Sequence, residues 1–268
     1  MPFNNAVDAS QSGYQSITSV GVWNGRTFQA GTGISLTNAD GTAGNTTITA
    51  TGMVPDPFGT VYLVDDFIFS SVAITAQTGD TNWESSGTTS HAGEAQHPGF
   101  IRIGSSGASG SLLKPQTAGS NGAFVLGAGI LTAEFLVRIT ATSTHTYCVG
   151  LGVSTAPNEP TDGVYFLYAS GTNSGNWVGK TANASSRSSA NSTNAVVSNQ
   201  WDRLKIIVNA AATSVSFYVN GVQIANSPLA TNIPTANIYP LLSKTAGAGG
   251  ESIDIDLFVI SYVLTTPR

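Results

Sequence analysis

Between Trp201 and Ala225 apolar residues recur at every second position. Leu204, Ile206 and Val208 alternate with Arg203 and Lys205, and Val215, Phe217 and Val219 alternate with Ser214 and Ser216. A period of two is that of a strand with one face buried. Asn220-Gly221 is the dipeptide that best tolerates the two positive φ angles of a two-residue type I′ turn. A meander is predicted here, with a third strand entered through that turn. Runs of strand character also occupy residues 61–69 (VYLVDDFIF), 100–104, 131–140, 146–153, 163–169 and 252–264. No window carries a 3.6-residue apolar period with helix caps, so the fold class is all-β. Strands this numerous, joined by Gly/Ser/Asn-rich loops, predict two packed antiparallel sheets.

The first fifty residues differ in kind. Residues 31–52, GTGISLTNADGTAGNTTITATG, place Ile34 and Leu36 on one side of a glycine- and asparagine-rich turn and Ile48 on the other. This reads as a short hairpin or β-turn unit with too little apolar mass to bury a core alone. It calls for a partner, either copies of itself or another protein. Two prolines one residue apart, Pro55 and Pro57, resist both helix and central strand. The expected organisation is therefore an N-terminal β-rich segment over 1–52 that depends on a partner, a linker over 53–60, and a sandwich over 61–268.

Composition narrows the possible partners. Of 268 residues 41% are hydrophobic, ample for a core, yet only 9% are charged, so solubility rests on Ser, Thr, Asn and Gly. A net charge of −5 offers no basic patch to nucleic acid. No apolar run approaches the roughly 20 residues of a membrane helix, and MPFNNAVDASQS has neither the basic nor the hydrophobic region of a secretory signal. Synthesis in a cytosol is expected, with a surface suited to work outside cells. The single cysteine, Cys148, rules out a disulfide within the chain and reads as a small buried residue in TYCVGLGV.

The order of several motifs resembles the concanavalin A-like, laminin-G-like jelly-roll family over residues 61–268. The carriers are Asp65-Asp66-Phe67, the turn at His97-Pro98-Gly99 followed by FIRIG, LTAEFLVRI followed by YCVGLGVS, WDRLKI, the hairpin VSFYVNGVQI, and a closing strand with Asp254 and Asp256. The segment AGTGISLTNADGTAGNTTITA is similar to segments near the start of bacteriophage tail-fibre and other virion proteins, where they form interleaved trimeric β-structure. Together these resemblances imply a non-enzymatic phage virion component, a fibre or capsid decoration protein made in the host bacterial cytoplasm. The implied partners are two further copies of the chain, other virion proteins and a host-surface glycan, with no membrane insertion.

Some jelly-roll relatives are glycoside hydrolases with acidic residues alternating along one strand, so a polysaccharide-degrading glucanase or depolymerase is the alternative. Asp254 and Asp256 have the even spacing that puts two carboxylates on one face. Glu251 has the wrong parity, and Leu257, Phe258, Val259 and Ile260 leave no glutamate beyond Asp256, so the enzyme motif is incomplete. No catalytic residue is assigned. Asp65, Asp66 and Asp162, with Asn158 in the same loop as Asp162, are weak candidates for Ca²⁺ through carboxylate oxygens, and no cofactor is otherwise expected. His91, His97 and His145 lack zinc spacing, and His97 reads as a turn residue. For carbohydrate, the candidate contacts are Tyr165, Tyr168, Trp177 and Asn176, because flat rings beside amide side chains stack on sugars and bond their hydroxyls. The competing role for these rings, and for Trp83 and Trp201, is to fill the sandwich.

Overall fold

The computed structural model describes residues 58–67, 83–104, 110–115, 124–142, 145–245 and 250–268, together with the backbone of four short strands before them. Two compact units are present, Met1–Pro55 and Asp56–Arg268. In the first, β1 (Ser16–Ser19) pairs with β2 (Val22–Asn24), and β3 (Ile34–Thr37) pairs with β4 (Thr47–Ala50), both antiparallel. The second pair joins the two apolar runs read in residues 31–52. The proline-bearing stretch from Met53 to Pro57 lies outside the described residues, and Thr60 already belongs to the next strand.

The second unit is a two-sheet sandwich. Its strands are β5 (Thr60–Asp65), β6 (Trp83–Ser86), β7 (Thr89–Glu94), β8 (His97–Ile103), β9 (Ser111–Pro115), β10 (Gly129–Ile139), β11 (Thr146–Val153), β12 (Asp162–Ala169), β13 (Asn176–Asn183), β14 (Ser186–Ala195), β15 (Trp201–Val208), β16 (Val215–Val219), β17 (Val222–Gln223), β18 (Tyr239–Lys244) and β19 (Ile253–Leu264). One sheet runs β17-β16-β15-β10-β19-β8-β7. Strand β5 lies against the C-terminal half of β19, on the edge whose N-terminal half takes β8. The other sheet runs β14-β13-β12-β11-β18-β9-β6, and every pairing is antiparallel. The all-β sandwich expected from the alternating runs is the observed fold.

Alternation dictates the core. Phe135 and Val137 of β10, Leu204 and Ile206 of β15, and Phe217 of β16 face Val149 of β11, Phe166 of β12 and Leu242 of β18, all fully buried. Phe166 and Phe217 meet edge to face across the gap at 5.3 Å, a favoured aromatic geometry. The Asn220-Gly221 turn has φ of 52° and 83° and joins directly paired Val219 and Val222, as a two-residue hairpin loop requires. Two buried tryptophans are fixed by carboxylates: Trp83 donates to Asp65 at 2.8 Å and Trp177 to Asp202 at 2.9 Å. Asp202 also accepts from the Asn220 amide at 2.8 Å, tying the hairpin turn to the core.

Strand β19 carries a bulge where Leu136 pairs with Leu257 but Val137 pairs with Ile255, leaving Asp256 as the extra residue. Inward-facing positions therefore change from Ile253 and Ile255 to Phe258, Ile260 and Tyr262. Sequence parity alone does not reveal that switch. His97, read as a turn residue, opens β8 and pairs with Glu94; the turn falls one residue earlier, at Gln96 with φ of 71°.

Candidate functional site

The outward face of the eight-stranded sheet is assembled by register. Arg102 of β8, Asp254 of β19 and Arg138 of β10 form one cross-strand row, continued by Trp201 of β15. Four residues along β10 and β15, Val259, Glu134, Lys205 and Tyr218 form another. In a chain with 10 basic and 15 acidic residues, Arg102, Arg138, Arg203, Lys205, Glu94, Glu134, Asp254 and Asp256 all gather here. That concentration sets this face apart.

At its centre Asp254 is fully buried. Arg102 grips it with two bonds, Nε to Oδ1 at 2.7 Å and Nη2 to Oδ2 at 2.9 Å, while Arg138 donates to Oδ2 from Nε at 2.9 Å and Nη2 at 2.7 Å. Arg138 turns its remaining nitrogen to both oxygens of Glu94, at 2.8 and 2.9 Å. The hydrogen bond from the Trp201 indole, assisted by Arg138, holds the Glu94 carboxyl below its ordinary range. Burial disfavours the charge on Arg138, but the bonds to Glu94 and Asp254 outweigh it and raise its pKa. The bonds to Asp254 likewise raise that of Arg102. His97 stacks on Trp201 at 4.3 Å, and its Nδ1 lies 2.8 Å from Asp256. Arg138 sits 4.5 Å from the Trp201 ring centre and 5.1 Å from that of Phe100.

Beside this closed network the same face opens into a groove of about 270 Å³ lined by Arg203, Lys205, Ile207, Tyr218 and Gly221. Glu134 pairs with both Arg203 and Lys205, the latter at 3.1 Å, and these partners keep its carboxyl ionised although burial opposes it. The groove thus combines an aromatic and an aliphatic side chain with two cations sharing one anion.

The sequence profile of the SO2946-like C-terminal domain matches residues 96–256, more than half of the chain, from β8 to the start of β19. The chain belongs to the SO2946-like family. The crystal structure of the protein of unknown function SO2946 from Shewanella oneidensis MR-1 superposes with a TM-score of 0.59 at 16% identity, covering 82% of this chain and 99% of that one. The Emp47p carbohydrate recognition domain superposes with a TM-score of 0.55 at 14% identity, covering 78% and 97%. At these identities the likeness is one of fold. A search of curated sequences returns no match.

Within the SO2946-like sandwich the aromatic residues expected to stack on sugar are buried. Tyr168 and Trp177 lie in the main core, and Tyr165, whose side chain points to the opposite face of β12, donates to Glu159 at 2.7 Å inside a second cluster with Leu112, Cys148, Leu167, Tyr239 and Leu241. The segment 154–160 covers that cluster: Ser154 exchanges bonds with the Tyr239 hydroxyl, and the Asn158 and Pro160 carbonyls accept from Ser243 and Arg187. No ring face is left for a ligand at Tyr165, Tyr168 or Trp177, and Asn176, half-buried, begins β13 beside them. Cys148 is buried as read, its thiol pushed up to about 12 by burial.

The calcium candidates are not brought together. Asp65 is spent on Trp83 and on the Phe67 amide, Asp66 is exposed, and Asp162 accepts from the Ala184 amide at 2.9 Å. Among the described residues no group of three His, Cys, Asp or Glu side chains could hold a metal ion. Asp254 and Asp256 do share the outward face, as their spacing required, whereas Glu251 instead bonds His145 Nε2 at 2.6 Å. Sequence reading missed Arg102, Arg138, Glu94, Arg203, Lys205 and Tyr218 as a set. Each is an out-facing position of an alternating strand, and that parity was the available signal.

Proposed function

We propose that this protein is a carbohydrate-binding module without catalytic activity, displayed as a fibre or decoration component of a phage virion and anchored through its N-terminal segment. The observation that carries the binding half is the groove at Tyr218. An aromatic ring and Ile207 offer apolar surface, while Arg203 and Lys205 supply donors, the combination that orients a sugar ring and bonds its hydroxyls. The sandwich shape shared with the Emp47p carbohydrate recognition domain supports the same reading.

The state of the carboxylates favours binding over hydrolysis. A glycosidase needs two carboxyl groups facing one cleft, one of them free to take or give a proton. Asp254 is sealed by two guanidinium groups and Asp256 is held on His97, which leaves neither available. The virion half rests on the resemblance of residues 30–50 to tail-fibre segments. Three linked copies would turn weak single-site contacts into useful avidity.

The test is binding of the full chain to a panel of bacterial surface glycans. Tyr218→Ala should weaken the bound glycan at least about tenfold, the share expected of one stacked aromatic. Unchanged binding in that variant places the site elsewhere. Glycan cleavage that disappears in Asp256→Ala would overturn the non-enzymatic reading, and a single-chain mass in light scattering would remove the trimer.

A further inference from the structure

The interior of the sandwich ends in a polar row rather than an apolar one. Ser111 of β9 pairs directly with Lys244 of β18, and Lys244 with Tyr147 of β11. All three share parity with the core residues Leu113, Leu242 and Val149, so their side chains point between the sheets. All are buried, Lys244 completely. Cross-strand neighbours of this kind stand about 5 Å apart at Cβ.

Their hydrogen bonding is incomplete. The Lys244 ammonium makes one bond, to the Gly104 carbonyl at 2.8 Å, although it carries three donors. Among the described residues it has no ion-pair partner. The Tyr147 hydroxyl, the Ser111 hydroxyl and Nδ1 of His145, two residues before Tyr147 on the same face, have no hydrogen-bond partner among the described residues. Among the described residues none of these groups bonds another. Glu251, the acid on this side, is engaged with His145 Nε2. Burial depresses the Lys244 pKa, and the negative charge of Glu251 offsets this only in part.

We propose that Lys244, Tyr147 and Ser111 form an internal site for a small oxyanion of phosphate or sulfate type. Bound water could satisfy the hydroxyls. Water supplies no countercharge, however, and a fully buried ammonium bonded to one neutral carbonyl is the costly state that an anion relieves. Two hydroxyls able to donate and an ammonium, cross-strand neighbours on one buried face, are a donor set of the kind an oxyanion takes. This site is distinct from the groove at Tyr218, which lies on the outward face of the other sheet.

The experiment is thermal unfolding of the full chain in inorganic phosphate, with chloride adjusted to keep ionic strength constant. Above its dissociation constant phosphate should raise the midpoint by about 3–5 °C per tenfold in concentration. Lys244→Met should abolish the rise whatever it does to the starting midpoint. Tyr147→Phe, which keeps shape and removes one donor, should shift the phosphate dependence to at least about tenfold higher concentration. A rise that chloride alone reproduces, no rise, or the same phosphate dependence in Tyr147→Phe would each overturn the site. If Lys244→Met does not fold, the Tyr147→Phe comparison decides.

Discussion

Asp254 shows how one side chain can resemble catalytic apparatus and serve another end. It accepts four guanidinium hydrogen bonds, one on Oδ1 and three on Oδ2, and it is fully buried, so the charge is compensated where it stands. Removing the carboxylate strips Arg102 of this bidentate partner and leaves buried Arg138 with Glu94 alone. Asp254→Ala should therefore cost about 3–5 kcal/mol, read as a lowered midpoint in urea unfolding, and a loss below 1 kcal/mol would mean that Arg102 and Arg138 find other partners. The even spacing of Asp254 and Asp256 was legible in the sequence, and so was their shared face. Their partners were not, because Arg102 and Arg138 lie 152 and 116 positions away in the chain and only strand pairing brings them near. Tyr165, Tyr168 and Trp177 failed as surface candidates for a related reason. Alternation says which side chains share a face but not whether that face is covered, and here the segment 154–160 covers the face that would have been open.

At the scale of elements, β10, β15, β16 and β19 were readable from one apolar face, and β11 and β12, buried on both faces, as short runs rich in aromatic and β-branched residues. Strand β14 was not, because SRSSANSTNA buries only Ala190 and Ser192 and lies at the sheet edge, where polar residues cost nothing. Strand β18 was hidden because YPLLSK is broken by Pro240 and ends in Ser243 and Lys244, so neither alternation nor an apolar run marks it although every position is buried. Between β13 and β16 the two sheets approach so closely that Gly179 has no room for a side chain. A methyl group there would fall within the ring of Phe217, which is itself packed against Phe166. Gly179→Ala should destabilise the sandwich by about 1–3 kcal/mol through overpacking. Pairing it with Phe217→Leu should recover part of that loss, since the smaller side chain vacates the ring's volume. Additive losses in a double-mutant cycle would show that the close approach is relieved by backbone movement instead.

For the whole molecule, scarcity of charge makes each partnered carboxylate count. Glu159 is taken out of water by the segment 154–160, which opposes ionisation, yet bonds from Lys180 at 2.6 Å and from Tyr165 at 2.7 Å outweigh that and lower its pKa. Glu134 is lowered in the same way by Arg203 and Lys205. A carboxyl whose folded pKa is depressed contributes its full stabilisation above its unfolded value of about 4.3, and loses it as the pH falls through the lower folded value. The unfolded chain takes up the proton first, so acid favours it. At pH 7 and at pH 5, Glu159→Gln should be less stable than the parent by the same amount, about 1 kcal/mol for a partly buried, hydrogen-bonded pair. Toward pH 3 the two stabilities should converge, because the parent then carries a neutral acid as well. Unfolding midpoints in urea at the three pH values measure the gap directly. A gap that persists undiminished at pH 3 would assign the role of Glu159 to packing under the 154–160 segment, and the ion pairs on that face would then add nothing to the fold.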